Sequence, residues 1–216
     1  ARVAGTMTRG GDYEDGSGRE VHSAYKRWST NAAVAWTPDE HTTVELSGAR
    51  SDGEAAYADR AMDGVKFDRE NLGLTVKREA LSDLVRSVEV QLGYNYVDHV
   101  MDNFSLRDFT ATAMMPARAV SNPDRRTLGA KALVQLAPAA TTALALGIDH
   151  QENRHSVRST SNETTMPYEA KPRTRDAEFS QWGAFGELTQ KFGDEHRLIG
   201  GFRLDRWRAT DERGAI

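Results

Sequence analysis

From Trp28 the even positions read Trp28, Thr30, Ala32, Val34 and Trp36, while the odd ones read Ser29, Asn31, Ala33 and Ala35. Strict alternation over such a length predicts a β-strand with two unlike faces. Thr37-Pro38-Asp39-Glu40 is a turn, and the next run places Val44 and Leu46 opposite Glu45 and Ser47. The pattern then recurs. Leu72, Leu74 and Val76 oppose Asn71, Gly73, Thr75 and Lys77; Val88, Val90, Leu92, Tyr94 and Tyr96 oppose Glu89, Gln91, Gly93 and Asn95. Leu128, Ala130, Ala132, Val134 and Leu136 oppose Gly129, Lys131 and Gln135, with Leu133 out of phase, and Thr142, Leu144, Leu146 and Ile148 oppose Ala143, Ala145, Gly147 and Asp149. Less regular runs follow at about 177–191 and 197–209, and a partial one stands at about 1–8. The expectation is all-β: an antiparallel meander of about nine strands with no helix.

The connections alternate in length. Short turns fall near 37–41, 79–86, 137–141 and 192–196, and long polar segments near 9–24, 52–68, 102–125 and 153–176. Short turns at one end and long loops at the other are the signature of an outer-membrane barrel, with the even residues from Trp28 to Leu136 facing lipid. Trp28 and Trp36 fit this. Eight strand steps of about 3.3 Å, tilted near 45°, span roughly 19 Å of membrane normal, close to an apolar band of about 25 Å. Both ends of that strand then carry an interfacial tryptophan. The competing reading makes them core aromatics of a soluble sheet.

Composition changes the picture in three places. Of 216 residues, 38% are hydrophobic, and 28 Lys+Arg against 32 Asp+Glu leave a net charge of -4, which excludes a basic nucleic-acid binder. The absence of Cys excludes a disulfide framework, a thiolate metal site and a cysteine nucleophile within these residues. No apolar run reaches the length of a transmembrane helix, a test blind to strands that alternate lipid-facing and inward residues. The chain opens on Ala1-Arg2-Val3 and ends just after a strand-like run, so it reads as an excised interior segment.

Candidate chemistry concentrates in Tyr94-Asn95-Tyr96-Val97-Asp98-His99-Val100-Met101-Asp102-Asn103-Phe104. The odd residues here point inward, so His99 and Met101 are same-side neighbours roughly 7 Å apart at their bases. Imidazole and thioether form a soft pair that favours copper, especially Cu(I), over magnesium or calcium. Taken alone, a His-x-Met spacing equally describes a simple rim position, and two ligands need others to complete a site. Asp98-His99 and Asp149-His150 are excluded as protease dyads because strand neighbours point to opposite faces. Met62, Met114, Met115 and Met166 fall in the long loops, where filling small hydrophobic clusters competes with, and is favoured over, a collecting surface for soft metal. His22, His41, His155 and His196 fall in or beside turns and are expected to be solvated. Inward charges such as Lys77, Lys131, Arg203 and Asp205 read as a solvated or mutually paired wall.

The runs Gly18–Tyr25, Arg27–Asn31, Glu45–Gly64 and Tyr94–Phe104 resemble the barrel of the TonB-dependent copper receptors of the OprC type. The resemblance implies a 22-stranded outer-membrane barrel of a Gram-negative bacterium, of which residues 1–216 are a partial barrel domain. The N-terminal plug and the remaining strands lie elsewhere. It implies copper, Cu(I) or Cu(II), as bound and transported ligand, held by a Cys-x-x-x-Met pair and a His-x-Met pair. The second maps onto His99 and Met101; the first has no counterpart in a chain without Cys and would belong to the plug. Outer-membrane lipid and, through the plug, the TonB energy-coupling protein are the implied partners. No catalytic set is expected. A passive porin or adhesin barrel without a specific metal site is the alternative.

Overall fold

The structure is a computed structural model that describes residues 1–193 and 195–213. Among them, nine long or medium strands form one antiparallel sheet. These are β1 (Arg2–Gly10), β4 (Tyr25–Asp39), β5 (Thr42–Ala55), β6 (Asp63–Glu79), β7 (Val85–Asp102), β8 (Val120–Ala139), β9 (Thr142–Thr160), β10 (Thr174–Phe192) and β11 (His196–Asp211). Each pairs with the next in that order, so the sheet is a pure meander with β1 and β11 as bare edges. Two short strands, β2 (Tyr13–Glu14) and β3 (Glu20–Val21), pair with each other in the connection after β1. The helical content described is a single 3-10 turn, Tyr168–Ala170.

Register carries the sequence parity across the whole sheet. Trp36, Val44, Val76, Val90, Ala132, Ile148, Ala184 and Leu204 lie in one line of paired residues, and Val34, Leu46, Leu74, Leu92, Ala130, His150 and Trp182 in the next. Even positions therefore make one largely apolar face over eight strands, broken on β11 by Arg206 opposite Trp182 and joined on β1 by the odd residues Val3 and Met7. This face is bare: Trp36 is 65% exposed and Leu92 49%. The buried apolar side chains described are Ala33, Ala56, Val100, Ala119 and Val120, too small a set for the packed interior of a sandwich. The face belongs against an apolar solvent, not against a second sheet.

The long connections are shorter than the sequence predicts. They span 56–62, 103–119 and 161–173, with 11–24 interrupted by β2 and β3, because β5 to β10 run several residues past the apolar alternation. Those extensions carry polar residues on both faces, so no period of two marks them as strand. The short connections stay tight, as at 40–41 and 140–141.

Candidate metal site at the loop end of the sheet

Beyond the apolar lines, the same face turns polar, first on β9 to β11 at Glu152, Ser180 and Arg208 and then across the sheet. Thr30, Arg50, Glu70, Tyr96, Arg126, Arg154, Glu178 and Thr210 are paired in a single line. Tyr96 donates to Asp124 Oδ2 at 3.0 Å, and the Arg126 guanidinium lies over its ring. A ring that is apolar below and hydrogen-bonded above is the usual occupant of a membrane interface. The apolar band ends at this line, and the strand segments beyond it stand outside the membrane-spanning part.

His99 lies three residues beyond Tyr96 on the polar face of β7. It is paired with Phe67 of β6, whose ring stacks on the imidazole with centroids 4.4 Å apart. Nε2 of His99 is buried and has no hydrogen-bond partner among the described residues. Burial holds the His99 pKa below the ordinary imidazole value, against the opposing pull of the Asp98 charge. The neutral ring, the form that ligates a metal, is thereby favoured. Met101 follows two residues on, half-buried, paired with Gly64 of β6 and Ser121 of β8. Both candidate ligands thus occupy the same face of one strand, as their spacing requires. Among the described residues, no three His, Cys, Asp or Glu side chains gather as a cage. The pair by itself offers one nitrogen and one thioether.

The opposite face of this strand end is locked. Asp98, buried, accepts from Lys66 Nζ at 2.8 Å, Asn122 Nδ2 at 2.6 Å and Arg173 Nη2 at 2.7 Å. Asn122, 0% exposed, in turn accepts from Arg158 Nε at 2.8 Å. The charges of Lys66 and Arg173, against the cost of burial, keep the Asp98 carboxylate ionised. Asp98 therefore belongs to a structural network behind the sheet and does not touch His99. Asp149 and His150 divide in the same way. Asp149 holds Arg203 at 2.7 Å on the polar face, while His150 stacks on Trp182 with centroids 4.3 Å apart on the apolar one.

A second cluster was invisible in the sequence. Asp63, 0% exposed, accepts from Arg107 Nε at 2.7 Å, from His22 Nε2 at 2.9 Å and from the Tyr57 N–H at 2.8 Å. His22 is thus half-buried and bound, correcting the expectation of a solvated side chain, and His155 lies within β9 and not beside a turn. Met114 and Met166 are 93% and 53% exposed, so they do not fill hydrophobic clusters. Of the expected inner wall, Arg203 binds Asp149 and Asp205 and Lys77 binds Glu79 at 2.7 Å, while Lys131 lies over the Phe185 ring.

Residues missed in the sequence are those joined across strands: Phe67 against His99, Asn122 and Arg173 behind Asp98, and Arg107 on Asp63. No local signal marks them, because each contact depends on register or on a loop's return path.

Residues 7–215 match the family model described as TonB dependent receptor-like, beta-barrel. A solved structure of the copper transporter OprC is similar over 98% of this chain, with 42% identity and a TM-score of 0.91. The alignment takes in 34% of that protein, so this chain spans about a third of its length. No curated protein matches the chain. With the family model covering nearly every strand of a bare-faced antiparallel meander, the chain belongs to the TonB-dependent receptor β-barrel family.

Proposed function

We propose that this chain is the partial barrel domain of an outer-membrane receptor that captures copper outside a Gram-negative cell and admits it through the lumen. His99 and Met101 supply an imidazole nitrogen and a thioether to the ion. The remaining strands of a 22-stranded barrel, a plug with further ligands, and coupling to TonB through that plug belong to the rest of the protein. No bond of the cargo is made or broken, so the residues bind and position and do not catalyse. The observation that carries the reading is the buried Nε2 of His99, left without a hydrogen-bond partner two residues from Met101 on the same face. An unpaired buried polar atom costs about 1–3 kcal/mol, which a metal bond would recover. The kinship to a protein named as a copper transporter supports the choice of ion.

The test is copper content and isothermal titration of the complete receptor carrying His99→Ala, Met101→Ala or both. Copper affinity falls while the barrel still assembles, because both side chains face the polar side and neither supports the apolar face. Unchanged copper content in the double variant would return the His-x-Met spacing to coincidence and leave a passive barrel as the better reading.

A further inference from the structure

We infer that Phe67 is a positioning residue for the His99 ligand, and that Gly64 is glycine because the Phe67 ring must lie over it. The inference rests on the copper reading above and extends it to two residues that contact no ion.

The backbone creates the arrangement. Gly64 pairs with Met101, but the next pair is Lys66 with Val100, so β6 carries one extra residue, Val65, against β7. Phe67 stands directly across from His99 in the unbroken register that runs from Glu79 opposite Ser87 to Lys66 opposite Val100. The bulge re-aims the strand beyond it and brings Gly64 across from Met101, which puts all four residues on one face. The Phe67 N–H donates to Asp52 Oδ1 at 2.9 Å, fixing the main chain on the far side of the bulge. The ring then reaches back along its own strand. A Cβ built on Gly64 would stand 2.2 Å from Phe67 Cζ and 2.4 Å from Cε2, closer than any two carbons can pack. Alanine at 64 therefore displaces the ring. There is no such space problem at the lumenal Gly93, where an added Cβ meets nothing within 4 Å.

The ring in turn determines what His99 can do. With ring planes 25° apart, the phenyl covers one face of the imidazole and restricts its rotation about the Cβ–Cγ bond. It also keeps water from that face, which sustains a buried Nε2 with no partner. Groups that orient a metal-bound histidine normally do so by hydrogen bonding to its other nitrogen, and losing one costs roughly 10- to 100-fold in metal affinity. Here stacking takes that part.

Copper titration of the complete receptor tests this with Phe67→Ala, Phe67→Tyr, Gly64→Ala and the double variant Gly64→Ala/Phe67→Ala, beside His99→Ala. Phe67→Ala is expected to lose roughly tenfold or more in affinity, and Phe67→Tyr, which keeps the stacking face, to retain it. Gly64→Ala should lose a similar factor, and the double variant should bind no worse than Phe67→Ala, since glycine acts only through the ring. Copper X-ray absorption supplies a signature that general loosening does not move: the imidazole scattering weakens in Phe67→Ala and returns in Phe67→Tyr. If Gly64→Ala fails to assemble, the Phe67 pair decides alone. Affinity unchanged in Phe67→Ala while His99→Ala abolishes binding overturns this inference and leaves the copper reading standing. Unchanged binding in His99→Ala overturns both.

Discussion

Replacing Asp63 by alanine should unfasten three loops at once. His22 comes from the connection after β1, Tyr57 from that after β5, and Arg107 from that after β7, and they converge on this one carboxylate. Arg107 also donates to the carbonyls of Arg60 at 2.9 Å and Tyr57 at 3.0 Å, so the guanidinium is the bolt and Asp63 its seat. Removing one partner of a buried pair costs about 3–5 kcal/mol, and Arg107, whose side chain is 24% exposed, belongs at the lower end. The electrostatics of the carboxylate point the same way. Burial alone would raise the Asp63 pKa, but hydrogen bonds from Arg107, His22 and the Tyr57 N–H outweigh it and bring it to about 2. Against an ordinary value near 3.8 that is worth about 2–3 kcal/mol. The folded value is depressed, so this stabilisation is complete above about pH 4 and is lost as pH falls through about 2. A loss of about 3 kcal/mol multiplies local opening roughly 150-fold. Hydrogen exchange of the complete receptor at neutral pH, read on peptides covering 56–62 and 103–119, should show that acceleration in Asp63→Ala, with the spans of β6 and β7 between Leu72 and Leu92 unchanged. Wild-type exchange in both loop peptides would refute the reasoning, as would equal acceleration throughout the strands.

Two further outcomes follow from the faces of the sheet. Leu92→Arg places a charge midway along the apolar face of β7 and should cost about 2–4 kcal/mol, whereas Gln91→Arg on the polar face should be nearly neutral; heat-modifiable migration of the assembled receptor distinguishes them, and equal effects would remove the face assignment. Arg173→Ala strips Asp98 and Asn122 of a shared donor and should speed cleavage of the 161–173 connection at Glu163 and Glu169 by a glutamate-specific protease at least tenfold, on a loss of about 3 kcal/mol. Unchanged cleavage would show that this loop is held by other contacts.

Strand number, pairing order and the division of faces were legible because each strand buries nothing on one side and alternates cleanly, as in Val88 to Tyr96. Where alternation stops, legibility stops with it. Asp68, Asp98 and Asp124 continue the same face beyond the apolar band, but polar on polar leaves no period to read. The shared face of His99 and Met101 was legible because their spacing lies within one strand. Phe67 was not, since its place beside His99 is set by the cross-strand register, where a slip of one residue would move every side chain to the other face, and Gly64 joins that face only through the extra residue Val65. Asp63 was missed for a different reason: its partners His22 and Arg107 lie 41 and 44 residues away and are brought in by loops whose paths follow no pattern.

The strand extensions have an electrostatic consequence. β7 has 18 residues and β8 has 20; at about 3.3 Å each and a tilt near 45°, such strands rise roughly 42 Å or more along the membrane normal, against a hydrocarbon band of about 25 Å. The surplus forms a stiff palisade projecting into the aqueous phase, and His99 and Met101 belong to it. A cation held there, as proposed above, stands beyond the hydrocarbon slab. It is spared the Born penalty, of order 20 kcal/mol for a small ion in a medium of low polarity, that sitting within the slab would bring. On the proposed function, recognition and translocation would thereby be separated in space, the ion being selected by its ligands before any work is done to carry charge past the lipid.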